Sequence, residues 1–148
     1  MAIITPTLTL TSNASTATTD AGPLSVALSL SQTATLTVDT VESKIYKPTL
    51  TPSVLFDGSG YDDTGVAGTG GAFIYLKNAS AADHDIYIGA VAEDVSASTL
   101  DDADDAVRLF TLKQNEFAFL PYDYTMDIVV DAESADAELE YWLFNRAV

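Results

Sequence analysis

The sequence predicts an all-β domain, an antiparallel β-sandwich of which a jelly roll is one form, with an extended N-terminal segment. Three observations predict it. Short segments alternate apolar and polar residues, as in Leu24-Ser25-Val26-Ala27-Leu28-Ser29-Leu30-Ser31 and Thr7-Leu8-Thr9-Leu10. A period of two sends successive side chains to opposite faces, so each segment has one apolar and one hydroxyl-rich face. Turn-forming residues punctuate these segments at the spacing of nine to eleven strands. Hydrophobic residues make up 47% of 148 residues, which suits one sandwich with a real core.

Taken in order, a first strand is expected over about Ile3–Ser12. A small polar loop, Asn13–Gly22, follows and closes on Gly22-Pro23. Strands are then expected over Leu24–Gln32, Thr33–Asp39 and Val41–Tyr46. Pro48 and Pro52 interrupt pairing and place Thr49–Thr51 at an edge or in a connection. Val54-Leu55-Phe56 forms a short strand before the longest glycine-rich stretch, which holds Gly58, Gly60, Gly65, Gly68, Gly70 and Gly71.

Ala72–Lys77 is apolar on both faces, as a central buried strand would be, and Asp85–Val91 looks similar. Asn78–His84 between them reads as a hairpin connection. Residues 93–106 are small and acidic and suit one short helical turn. Val107–Lys113 and Glu116–Leu120 read as a strand and its return, joined by a tight turn at Gln114-Asn115, because Asn tolerates the left-handed backbone. Pro121 starts a corner. Thr125–Val130 and Glu138–Phe144 finish the domain, with Leu139, Tyr141 and Leu143 on one face and Glu138 and Glu140 on the other. The domain reading is thus an arm or edge strand over 1–22 and a single sandwich over 23–148.

The net charge is −16. Such a field repels nucleic acid and anionic membrane surfaces, so neither is expected as a partner. Charge is unevenly spread. Residues 1–52 hold three acids and two bases, and the other nineteen acids and four bases follow. The neutral first third reads either as a wet sheet edge or as an arm that docks on a neighbouring subunit. The N-terminus lacks the basic and apolar regions of a secretory signal, which points to synthesis in a cytoplasm. No run approaches the ~20 apolar residues that span a bilayer.

No catalytic constellation is visible. The one histidine, His84, lies between Asp83 and Asp85, but neighbours on an extended chain point to opposite faces and do not form a triad. Without cysteine and with one histidine, transition-metal sites are not expected. Calcium is the one metal the residue types permit. Its weak candidates are Asp57, Asp62 and Asp63, with Asp101, Asp102, Asp104 and Asp105 as a second run, and neither matches a helix–loop–helix calcium pattern. No cofactor is expected. Gly65–Gly71 lacks the Lys-Ser/Thr ending of a phosphate cradle. Asn13-Ala14-Ser15 and Asn78-Ala79-Ser80 fit the glycosylation triplet by chance. Tyr122, Tyr124 and Trp142 are read as core or interface aromatics.

One stretch is more specific. Leu112-Lys113-Gln114-Asn115-Glu116-Phe117-Ala118-Phe119-Leu120-Pro121-Tyr122-Asp123-Tyr124 follows a strand with Tyr87-Ile88-Gly89 and precedes Leu139-Glu140-Tyr141-Trp142. With Ile4-Thr5-Pro6-Thr7-Leu8-Thr9-Leu10-Thr11 and Gly22-Pro23-Leu24-Ser25, it resembles small virion structural proteins of tailed bacteriophages, of the marine and cyanophage type. The resemblance implies a particle component without enzyme activity, present in many copies. The expectation is an accessory head protein that decorates the capsid. Its partners would be the major capsid protein or another virion protein and further copies of itself, as a trimer or dimer. Ile4, Pro6, Leu8, Leu10, Tyr122 and Tyr124 are the expected interface residues. The alternative is a tail, baseplate or fibre module that touches a receptor or glycan through the Gly58–Gly71 loop and Tyr61. A glycan hydrolase using an acid pair is the remaining class.

Overall fold

The computed structural model describes residues 2–11, 27–31, 36–58, 72–92, 107–122 and 125–146. The chain divides into two units, Met1–Val38 and Asp39–Val148. The boundary expected at residue 22 lies outside the described residues, as does the turn expected over 93–106.

In the first unit, β1 (Ala2–Ile4) pairs antiparallel with the first residues of β4, setting Ala2 opposite Val38 and Ile4 opposite Leu36. β2 (Thr7–Thr11) pairs with β3 (Ala27–Ser31), with Leu8 opposite Leu30 and Leu10 opposite Leu28. One strand was expected from Ile3 to Ser12. Two form, because Pro6 has no N–H to give a ladder and the chain breaks at Thr5-Pro6.

β4 (Leu36–Tyr46) runs on into the second unit as one strand where two were expected, since no glycine or proline lies between Thr37 and Tyr46 to break it. There it meets β5 (Ser53–Phe56), β6 (Ala72–Asn78), β7 (Ile86–Ala92), β8 (Val107–Leu112), β9 (Phe117–Tyr122), β10 (Met126–Ala132) and β11 (Leu139–Arg146). Two four-stranded antiparallel sheets pack face to face, in the orders β4-β11-β6-β9 and β5-β10-β7-β8. The pairs β4·β11, β5·β10, β6·β9 and β7·β8 are those of one long hairpin folded at the β7–β8 connection. Rolling that hairpin adds β11·β6 and β10·β7. This is the strand order of an eight-stranded jelly roll.

The core lies between the sheets. Ile74 and Leu76 from β6, and Leu139, Tyr141 and Leu143 from β11, face Phe56, Ile86, Ile88, Ile128 and Val130. Every second residue points inward, as the alternation predicts. Burying one such side chain contributes roughly 1.5–3 kcal/mol. The Tyr141 hydroxyl donates to the Glu42 carboxylate, joining β11 to β4.

Three local expectations are corrected. Asn78–His84 is not a hairpin connection, because β6 and β7 lie in different sheets. The turn at Gln114-Asn115 does form, with Asn115 at φ 65° and the Glu116 N–H donating to the Lys113 carbonyl at 2.9 Å. Yet it arches from one sheet to the other, so β9 is not the return partner of β8. Pro121 does not start a corner. It lies inside β9 opposite Phe73, and β9 is an edge strand, where a missing N–H is tolerated.

One end of the sandwich is tied together by Asn78, at the end of β6. Its side chain is fully buried. Nδ2 donates to the carbonyls of His84 (2.6 Å) and Leu112 (2.9 Å), and Oδ1 accepts from the Ser80 N–H (3.0 Å). Its backbone bonds Glu116 and Asn115, each at 3.0 Å. Ser80 Oγ accepts from the Glu138 N–H at 3.0 Å. One residue thus holds the β6–β7 connection, the end of β8 and the β8–β9 turn. With both amide hydrogens engaged in the interior, Asn78 is not open to glycosylation in the folded chain.

Candidate docking face

The outer face of the β4-β11-β6-β9 sheet is aromatic. Leu139, Tyr141 and Leu143 take the inner positions of β11, so Trp142 and Phe144 point outward. On β6 the outward residues are Phe73, Tyr75 and Lys77, and on β9 they are Phe117, Phe119 and Pro121. The register lines them up: Trp142 stands opposite Tyr75, which stands opposite Phe119, and Phe144 stands opposite Phe73, which stands opposite Pro121.

The rings touch both across strands and along β11. Phe73 and Phe119 stack at 5.5 Å, Trp142 and Phe144 stack at 6.2 Å, and Phe119 meets Phe144 at 6.4 Å. Tyr75 packs on Phe117 at 6.0 Å. Aromatic pairs of this kind contribute about 0.5–1.5 kcal/mol beyond the area they bury.

The rings remain open to solvent, with Phe117 60%, Phe119 40% and Trp142 39% exposed, and Ile45 on neighbouring β4 52%. Aromatic side chains present ~150–250 Å² each, so those three rings alone leave roughly 200–350 Å² of apolar surface in water. Contiguous patches of that order are often binding surfaces.

Charge is sparse on this face. Lys77 and Glu140 face each other at one end, and Glu140 Oε1 accepts from Trp142 Nε1 at 3.1 Å. Burial first, and the Glu140 carboxylate second, raise the Tyr75 phenol above its ordinary value of 10.0. The phenol is therefore neutral throughout the physiological range. The chain carries −16, yet among the described residues the charges beside these rings are few: Lys77, Glu140 and, next to Trp142, Lys44.

The residues expected at an interface differ in their exposure. Ile4 and Pro6 are half-buried in the first unit, Leu8 is exposed on β2, and Leu10 sits two residues further on the same strand. Tyr122 is buried, its ring 6.1 Å from that of Phe56 and its hydroxyl donating to the Met126 carbonyl at 2.8 Å. It is a core residue and presents no surface to a partner. Tyr124 lies outside the described residues.

Among the calcium candidates, Asp57 is exposed past the end of β5, and Asp62 and Asp63 are outside the described residues. The neighbouring Gly58 N–H is held by the buried Asp127 carboxylate at 2.8 Å. Among the described residues no group of three or more histidines and acids gathers. His84 Nδ1 is 3.9 Å from Glu133 Oε1.

No family model matches the chain, and no curated protein or solved structure matches it either.

The aromatic face was not among the expected sites, though its signal is in the sequence. Phe73/Tyr75, Phe117/Phe119 and Trp142/Phe144 are three doublets at a spacing of two, on strands whose other positions are also apolar. A strand in a two-layer sandwich has one face for the core. Apolar residues on both faces of β6 therefore mark a second surface that needs cover.

Proposed function

We propose that this chain is a non-enzymatic structural protein of a tailed-phage particle, a capsid decoration protein that seats its aromatic sheet face on the shell. The observation that carries the reading is the aromatic face itself, a nearly uncharged surface on a strongly acidic chain. The acidic remainder keeps the protein soluble and turned toward solvent, while the rings supply the contact. The jelly roll is compatible, being a fold of viral capsid and lectin domains alike, although fold alone assigns no function. The resemblance to virion proteins points the same way. Copies arranged as dimers or trimers would multiply modest contacts through effective concentration.

Quantitative mass spectrometry of purified particles tests the reading. A copy number equal to that of the major shell protein, or a simple fraction of it, is expected. A number far below the shell lattice would move the chain to the tail or fibre, and absence from particles would refute the reading.

Removing residues 1–20 is expected to leave the second unit folded, since all eight sandwich strands lie within 36–146. The truncation should weaken shell binding if Ile4, Pro6, Leu8 and Leu10 add contacts, as read by co-sedimentation with shells. Unchanged binding would assign the contact to the sandwich alone.

A further inference from the structure

The outer face of the other sheet holds a cavity of about 520 Å³ that docking leaves unused. Ile86, Ile88 and Ala90 take the inner positions of β7, so Tyr87 and Gly89 face outward. Gly89 has no side chain, and the sheet surface is hollow above it. Leu50 and Pro52, in the connection between β4 and β5, form an apolar wall, and Arg108 and Asp131 supply the polar groups.

Arg108 reaches this surface because β8 is bulged. Thr111 pairs with Tyr87 and Phe110 with Ile88, but the next pair is Arg108 with Gly89, and Leu109 is the extra residue. In a regular ladder Leu109 would stand opposite Gly89 and Arg108 would point to the core. The bulge gives Arg108 that outward place and leaves Leu109 half-exposed, and re-aiming a side chain is a recurrent use of bulges. The guanidinium carbon then rests 3.7 Å from the centre of the Tyr87 ring. That cation–π contact orients the fork.

Asp131 stands opposite Tyr87 on β10. Its Oδ2 is 4.0 Å from Arg108 Nη2, beyond hydrogen-bond distance. Among the described residues none donates a hydrogen bond to it. Burial raises its pKa above the ordinary carboxylate value, and Arg108 pulls it partly back.

We propose that this cavity binds one ring of a neutral saccharide, with a ring hydroxyl bridging Arg108 and Asp131. The gap narrows the chemistry to a group that both donates and accepts, and the apolar wall beside it favours a sugar hydroxyl over water alone. The bridging atom must accept from a guanidinium and donate to a carboxylate at once, which a hydroxyl does and a carboxylate or an ammonium does not. An oxygen ~2.8 Å from each group fits a 4.0 Å gap. The two charges offset each other, so an ion of either sign meets one repulsive partner, and the overall field turns anions away. The cavity volume lies within the roughly 300–1,000 Å³ of small-molecule sites. Leu50 and Pro52 offer an apolar surface to the C–H face of the ring. The inference stands apart from the docking role, which uses the opposite sheet.

The test is an NMR titration of the ¹⁵N-labelled full chain with glucose, galactose, mannose and N-acetylglucosamine. At least one sugar is expected to give saturable shifts at Tyr87, Gly89, Arg108 and Asp131. Asp131→Asn removes the charged acceptor and, because burial already disfavours that charge, should fold as well as the parent. It is expected to weaken binding about tenfold or more, the loss of a charge-assisted hydrogen bond. Gly89→Val fills the floor from the outer face and should abolish the shifts. Saturable shifts with none of the four sugars would overturn the proposal. So would equal shifts with acetate or methylammonium, shifts that survive both variants, or shifts centred on Trp142.

Discussion

Replacing Asn78 with alanine is expected to destabilise the second unit by about 3 kcal/mol, the net value of three buried hydrogen bonds plus the cost of groups left unpaired. The Nδ2 atom satisfies two carbonyls and Oδ1 satisfies the Ser80 N–H. Alanine leaves all three without their Asn78 partner. A domain of this size is stable by ~5–15 kcal/mol, so the change removes a large share. Urea unfolding followed by far-UV circular dichroism checks it: the midpoint should fall while the slope stays constant. Asn78→Asp should be worse than alanine, since a carboxylate would face the His84 and Leu112 carbonyls. A loss below about 1 kcal/mol for alanine would show that the knot at this end of the sandwich is not a structural tie.

That residue matters because of the topology. In a rolled hairpin most consecutive strands do not pair. β6 and β7 separate into different sheets, as do β8 and β9, and the ladder gives no bonds to the arches between them. The Asn78 side chain and the Ser80–Glu138 and Gln114–Ser80 bonds supply that missing cohesion. The β6·β9 and β4·β11 pairs join segments far apart in sequence, so folding is expected to be slow for the size of the domain.

Alternation located the strands because burial on one face imposes it directly. Leu139, Tyr141 and Leu143 fall inside as their parity requires, and Asn115 takes the left-handed backbone that its turn demands. Pairing was not legible, because a tight turn such as Gln114-Asn115 reverses the chain equally well within a sheet and between sheets. Local sequence carries no record of which distant strand completes a ladder. The same blindness hid the saccharide cavity. Leu109 and Arg108 are adjacent, and only the register against Gly89 reveals that Arg108 takes the outward place. For the aromatic face the residues were visible, but a strand apolar on both sides reads as buried on both sides. Phe73 satisfies that reading, stacked on Phe119 and opposite Phe144, whereas Phe117 and Trp142 at the margins do not.

Replacing Phe117, Phe119 and Trp142 together with serine is expected to abolish shell binding while leaving the fold intact. None of the three lies in the core, so the cost to folding is confined to ring–ring contacts on the surface. Buried aromatic anchors at the centre of an interface are commonly worth ~2 kcal/mol or more each, about thirtyfold per residue, and their joint loss should exceed the range of a co-sedimentation assay. Trp142 is the single tryptophan, so its emission reports the same event without a label. It should shift to shorter wavelength when the parent protein docks. Salt separates this mechanism from its rival. A contact made by rings, with Tyr75 held neutral, should persist or strengthen as ionic strength rises, because added salt favours apolar burial and screens the repulsion between acidic neighbours. Docking through ion pairs with the −16 surface would instead weaken steadily. Parent-like binding by the triple variant, or a steep loss of parent binding with salt, would take the seat away from this face.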